Sequence, residues 1–285
     1  MFVTNSGASA EAIQHHYDID NAFYRLWLDD SMTYSCALFG EGDSLETAQQ
    51  RKLDYHIEQA RARGAGNVLD IGCGWGSMLR RLVETTGVLN AVGLSLSQAQ
   101  IDSISAQRWT GVRAHLQPWQ EHRPESAYDA IISIGAFEHF ARPELSDKEM
   151  IESYRAFFQR CHDWLGPGGH LSLQTIAYGT AQRKDINSFI LDEIFPESDL
   201  PTAAAIVHAF DGLFELVQWR NDRVHYAETF RHWSRRLRAK EIEARRLVGD
   251  AKVDKFKKYQ GLFTIGFHTG AMNLFRISLK KIERR

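Results

Sequence analysis

Cysteine is scarce in this sequence. The 285 residues include only Cys36, Cys73 and Cys161. They are too few and too far apart for a disulfide framework, and no C-x-x-C pair suggests a bound metal. They suit a reducing cytoplasm, which is the expected location. Net charge is nearly absent too, −2 from 34 basic and 36 acidic side chains, so nothing global advertises nucleic acid. No apolar run reaches the roughly 18–20 residues of a membrane-spanning helix. The opening MFVTNSGASAEA lacks the charged and apolar regions of a secretory signal. There is no internal repeat and no low-complexity tract. What is present is an ordinary globular balance, 44% hydrophobic and 25% charged, ample for one large domain with an attached lid.

The spacing of apolar residues predicts one or two short helices over 9–28. A polar-aromatic loop, SMTYSCALFG, follows. A helix is predicted over 44–63, with Ser44 as N-cap and Gly64 as terminator. From Asn67, strands and helices alternate: NVLDIG, GSMLRRLVETTG, NAVGLSLS, SQAQIDSISAQRW, VRAHLQ, YDAIISIG, KEMIESYRAFFQRCHDWLG and HLSLQTI. Such alternation predicts a parallel sheet with helices on both faces. The pattern breaks after Tyr178. Residues 185–211 read as helical with interruptions at Pro196 and Pro201, a candidate lid. FELVQW resumes as a strand, a helical stretch covers 226–258, and MNLFRISL closes the sheet.

VLDIGCGWGS (68–77) is the most specific signal. A buried strand ends in Asp70, and Gly72, Gly74 and Gly76 lead into a helix. Glycines are needed where a ligand packs directly on backbone, and ligands of open parallel sheets sit beyond the carboxyl ends of the strands. A nucleotide-like ligand is therefore expected over Gly72–Gly76. The spacing is not the G-x-G-x-x-G of dinucleotide sites, which argues against a nicotinamide enzyme. SIGAFEHF (133–140) is the second signal. It sets a carboxylate, Glu138, between Phe137 and Phe140 at the mouth of a buried strand. The simplest alternatives are that Glu138 caps the following helix or pairs with Arg142.

The glycine loop resembles that of class I S-adenosylmethionine-dependent methyltransferases. HYDIDNAFYRLWLDDSMTYSCALF, LDIGCGWGS, GLSLSQAQ, SIGAFEHF, FILDEIFP and FHTGAMNLFRISLKK, in that order, resemble the cyclopropane fatty acid synthase and mycolic acid methyltransferase family. The resemblance implies a Rossmann-like α/β fold with a mostly parallel seven-stranded sheet, N-terminal helices and an α-helical lid. The expected single domain divides into a cap (1–64), a cofactor-binding core (65–178), a lid insertion (179–212) and a C-terminal part with long helices (213–285). It also implies that Tyr34, Ser35, Asp70, Gly72, Gly74, Ser95, Leu96, Gln100, Trp119 and Gln120 hold S-adenosylmethionine. Tyr17, Phe137, Phe140, Phe189 and Phe195 are the expected substrate pocket.

Methyl addition to an alkene leaves a carbocation, which needs aromatic faces to tolerate its charge and a base to remove one proton. In the family that base is a bicarbonate held by a Cys, an Ile, a Glu, a His and a Tyr. Carried over, these are Cys36, Ile134, Glu138 and Tyr226, with Gln174 standing where the family has His. Gln174 can donate a hydrogen bond but cannot take up charge. Either a bicarbonate is held more weakly, with the Gln174 amide as donor in place of the His, or Glu138 removes the proton itself. The departure, with an insertion-like stretch at ARPELSDKE, points to C-methylation of an unsaturated hydrophobic small molecule such as a polyketide or terpenoid intermediate. Cyclopropanation of unsaturated acyl chains on lipid or acyl carrier protein is the alternative, and a cofactor-binding cyclase without methyl transfer a further one. Arg231 to Lys258 holds eleven basic against four acidic residues. That excess reads as a solvated helical face or as a dock for an anionic carrier. No metal is expected, because His15 and His16 lack spaced partners.

Overall fold

The computed structural model describes all residues except 1–6, 10, 12, 13, 15–19, 284 and 285. Tyr17, His15 and His16 therefore lie outside the described residues. The centre is a seven-stranded sheet in the order β3-β2-β1-β4-β5-β7-β6. Its strands are β1 (Asn67–Ile71), β2 (Asn90–Ser95), β3 (Val112–Leu116), β4 (Tyr128–Ile134), β5 (Leu165–Tyr178), β6 (Phe214–Asn221) and β7 (Met272–Lys281). β3, β2, β1, β4 and β5 pair in parallel, while β7 runs antiparallel between β5 and β6. The order reverses between β1 and β4, so the ends of these strands open a crevice where loops diverge to either side.

The α-helices bounded within the described residues are α1 (Asn21–Arg25), α2 (Leu45–Gln59), α3 (Ser77–Thr85), α4 (Gln98–Gln107), α5 (Asp147–Trp164), α6 (Ala203–Phe210), α7 (Arg223–Ala239), α8 (Glu241–Val248) and α9 (Asp250–Thr269). Local chemistry explains their starts. The Ser44 hydroxyl accepts from Thr47 N at 3.2 Å, and Ser146 and Glu149 complete a reciprocal capping box at α5. None of the described helices is long and apolar enough to cross a membrane.

The helix read over KEMIESYRAFFQRCHDWLG ends at Trp164, and the strand read as HLSLQTI starts earlier, since β5 begins at Leu165 and runs through GPGG, with its register to β4 shifted between Tyr128 and Ala130. The stretch 185–211 is helical in two pieces separated by the segment that holds Pro196 and Pro201, and of these Ala203–Phe210 is the α-helix. It joins the core cluster with α5 through Ile206, Ala209 and Phe210. The preceding segment carries one 3₁₀ turn (Arg183–Asp185) and one π-turn (Ile190–Ile194). The break between the two pieces falls at Pro196 and Pro201, where it was expected, because proline disfavours helical backbone at the residue before it.

Candidate functional site

Two cavities meet at the crevice. The first is a cleft of about 1120 Å³ over the ends of β1, β2 and β4. All ten residues expected to hold the cofactor line it, from Tyr34 and Ser35 to Trp119 and Gln120. Gly72, Gly74 and Gly76 have φ of +82°, +54° and +85°, the left-handed region that glycine adopts most readily. At Gly74 a Cβ would meet nothing within 4 Å, so the backbone there faces open cleft; at Gly72 it would come 2.5 Å from Ala136 Cβ. At the end of β2 the Ser95 hydroxyl donates to Gln100 Oε1 at 2.7 Å. Trp119 is buried against Phe140 and Phe157, and its Nε1 has no hydrogen-bond partner among the described residues. The Asp70 carboxylate at the floor accepts no hydrogen bond from a described residue, and burial raises its pKa to about 7 although Lys52 lowers it. An open glycine floor, a ring with an orphaned donor and an unbonded carboxylate fit a ligand with both an aromatic base and a cationic group.

The second cavity holds about 770 Å³ and shares Tyr34, Gly135 and His139 with the first. Its apolar wall includes Ile176, Ile190, Phe195, Phe263 and Met272, with Tyr178, Tyr226 and Tyr259 adding aromatic faces. Tyr34 joins the two, its hydroxyl donating to Tyr259 Oη at 3.2 Å. The segment from Ile186 to Leu200 covers this cavity, although not as an α-helix.

Glu138 opens onto this second cavity. Gly135, at φ +69°, ends β4, and the 3₁₀ turn Phe137–His139 then aims the side chain inward. Glu138 is 5% exposed. One oxygen accepts from Ile176 N at 2.6 Å, and the other is buried without a hydrogen-bond partner among the described residues. Burial pushes the carboxyl up to about 7, against the Ile176 N–H, which favours the ionised form. Neither simple alternative describes it. Arg142 instead bonds Gly7 O and pairs with Glu197, and Glu138 lies within a three-residue turn that no longer helix extends.

The five residues carried over as anion ligands divide between the cavity walls and a buried network beside them, with Ile134 directly across from Gln174 in the β4–β5 pairing. Glu138 and Tyr226 line the second cavity, and Ile134 lines the cofactor cleft. Cys36 and Gln174 line neither. They belong to a buried network around Arg276, which is 0% exposed. Arg276 lies directly across from Gln174 in the β5–β7 pairing. Its Nε donates to Gln174 Oε1 at 2.9 Å, its Nη1 is paired with Asp222, and its Nη2 donates to the carbonyls of Cys36 and Ala37, each at 3.1 Å. Burial pushes the Cys36 thiol up to about 12, so it stays protonated, and it donates to Ala37 O.

The expected aromatic walls also move. Phe137 stacks on Tyr154 at 4.4 Å inside the core. Phe140 lines the cofactor cleft rather than the substrate cavity. Phe189 lines neither, and its ring lies 3.9 Å from Lys258 Nζ. Phe195 does line the second cavity. Tyr259 and Phe263 were missed because they lie on an aromatic stripe with Phe256 and Phe267, whose helical spacing reads as plain core. Much of the basic excess between Arg231 and Lys258 is matched locally: Arg245 to Glu241, Asp250 and Asp254, Lys257 to Glu241, and Arg236 to Glu46. Among the described residues no cluster of three or more His, Cys, Asp or Glu could hold a metal.

Comparison with known proteins agrees with this architecture. The family model for mycolic acid cyclopropane synthetase matches residues 4–277. Cyclopropane mycolic acid synthase 2 of Mycobacterium leprae is 36% identical over 290 residues, spanning 93% of this chain and 89% of that protein. The structure of the cyclopropane synthase MmaA2 from Mycobacterium tuberculosis superposes with a TM-score of 0.87 at 30% identity, covering 98% of this chain and 100% of that one. Mycolic acid cyclopropane synthase CmaA1, solved in complex with SAH and CTAB, gives 0.86 at 29% identity, covering 96% and 99%. With S-adenosylmethionine as cofactor, the chain belongs to the mycolic acid cyclopropane synthetase family of S-adenosylmethionine-dependent methyltransferases.

Proposed function

We propose that this enzyme transfers a one-carbon group from S-adenosylmethionine to an alkene carbon of an unsaturated acyl chain lying in the second cavity. Glu138 itself is the proton acceptor in this reading. The observation that carries it is the Glu138 carboxylate oxygen, buried, without a hydrogen-bond partner among the described residues and opening onto an aromatic-lined cavity that shares a wall with the cofactor cleft.

When bound, the cofactor supplies an electrophilic sulfonium methyl. The residues do the rest. Tyr34, Gly135 and His139, common to both cavities, hold the alkene against the cleft and keep water out. The alkene's π electrons form the new carbon–carbon bond, leaving a cation on the chain. The faces of Tyr226, Tyr259 and Phe263 stabilise that charge. Glu138 removes a proton from the added methyl group, and the freed C–H electron pair closes a cyclopropane ring. A carboxyl held near 7 suits this role, since it is substantially ionised at neutral pH yet basic enough to take the proton.

The lipid reading stands ahead of a polyketide or terpenoid alkene because the similar proteins are named for mycolic acids. Direct action by Glu138 stands ahead of bicarbonate because Glu138 opens onto the second cavity, whereas Cys36 and Gln174 line neither cavity. Incubation with methyl-labelled S-adenosylmethionine and unsaturated phospholipid vesicles tests the substrate class. Labelled cyclopropane in the acyl chains, with stoichiometric S-adenosylhomocysteine, is the expected result. Release of no S-adenosylhomocysteine during turnover would favour a cyclase.

A further inference from the structure

Lys52 belongs to no motif and to none of the expected contacts, yet it is one of the most deeply buried charges in the protein. It sits on α2 among Leu45, Ala48, Gln49, Leu53, His56 and Ile57, the face that packs inward. It is 1% exposed, and it lines the floor of the cofactor cleft. A cation so buried normally has a carboxylate in contact, because desolvation otherwise costs several kcal/mol. Lys52 has none among the described residues. Among the described residues its Nζ makes one hydrogen bond, to Ser35 Oγ at 2.9 Å.

Two carboxylates are near enough to act on it through space, Asp29 and Asp70. Asp29 is already engaged: one oxygen accepts from Thr33 N at 2.9 Å and the other from Ser31 N at 3.0 Å and from the Ser31 hydroxyl. Asp70 accepts nothing from the described residues and lines the same cleft. Arg276, also in range, is repulsive, and Cys36 is a protonated thiol. Burial holds the Lys52 ammonium down at about 7, the expected consequence of a missing counter-ion. The floor therefore presents a buried cation and a buried carboxylate that do not neutralise each other by contact.

We propose that Lys52 receives the carboxylate of the cofactor's amino-acid end while Asp70 faces its ammonium, so that the cleft floor selects a zwitterion. Ser35 fixes Lys52 through its hydroxyl and sits beside Tyr34, so occupation of the floor is transmitted to the loop that separates the cleft from the substrate cavity. The inference rests on S-adenosylmethionine as cofactor and not on the alkene chemistry.

The test compares binding of S-adenosylmethionine with its decarboxylated form by calorimetry at pH 7, which needs no turnover. The wild type is expected to bind the carboxylate-bearing form roughly 10- to 100-fold more tightly, the range of a hydrogen bond to a charged group. Lys52→Met is expected to lose that preference while binding the decarboxylated form within about twofold of wild type. Lys52→Gln is one bond shorter but keeps an N–H donor in place of the cation, so it guards against a packing defect and is expected to behave alike. Equal binding of the two forms by the wild type overturns the proposal. So does a matched loss of both forms in Lys52→Gln, which would make Lys52 a purely structural cation.

Discussion

The cofactor cleft and the cavity beside it share Tyr34, Gly135 and His139 but are assembled in opposite ways. The cleft is built largely from short consecutive runs at strand ends: Asp70–Trp75, Leu94–Leu96, Gln117–Gln120 and Ile134–Ala136. Its floor is polar and carries charge. The second cavity draws on Tyr34, Glu138, Ile176, Phe195, Tyr226, Tyr259 and Met272, each from a different part of the chain, and its wall is mostly apolar and aromatic. A sulfonium-bearing zwitterion needs many directed polar contacts. An alkene and the cation it becomes need shape, aromatic faces and one base. The buried Arg276 network lies outside both walls, a scaffold rather than a binding surface.

Glu138→Gln separates the two cavities most sharply. Methyl transfer is expected to fall roughly 10²- to 10⁴-fold, the usual contribution of a general base, with cofactor affinity within about twofold of wild type by calorimetry. The same variant has a stability signature. The folded carboxyl titrates near 7 against an ordinary value of 4.5, so the folded protein holds an extra proton between these pH values. The associated stability is fully present below the ordinary value and is lost as pH rises through about 7. Urea denaturation should therefore show Glu138→Gln gaining on wild type between pH 5 and pH 8, and a constant difference would contradict the titration.

Arg276→Met probes the region behind both cavities. It leaves Asp222 buried without its main partner, and a loss of about 3–5 kcal/mol is expected from the urea midpoint. A loss well below 1 kcal/mol would mean that solvent reaches Asp222. Phe263→Ala enlarges only the second cavity. The KM for the alkene substrate should change roughly 5- to 20-fold, with cofactor binding unaltered; equal effects on both would mean that the cavities are not separable. The smallest effect is expected from added bicarbonate. Stripping and restoring it should change the initial rate less than about twofold if Glu138 accepts the proton directly, and strong dependence would return the anion to the site.

The same contrast explains what could be read beforehand. The glycine loop, Ser95–Gln100 and Trp119 were legible because the residues that line the cleft are neighbours in sequence and the strand–helix alternation orders them in space. The aromatic wall was not legible, since Tyr259 and Phe263 lie on a stripe with ordinary core spacing, whereas Phe137, adjacent to Glu138, turns away into the core. The exchange at Gln174 was visible, but its partner was not. Arg276 becomes its neighbour only through the antiparallel register of β7, and no local pattern records that. Lys52 had left a trace as a charge at an inward position of an amphipathic helix, together with Gln49 and His56.

The most direct test of Glu138 as proton acceptor is the pH dependence of single-turnover methyl transfer with pre-bound cofactor. The account predicts a rate that rises tenfold per pH unit below about 7 and levels off above it in the wild type, with that limb absent from the residual rate of Glu138→Gln. A wild-type profile flat from pH 5 to pH 9, or the same limb in the variant, would contradict it.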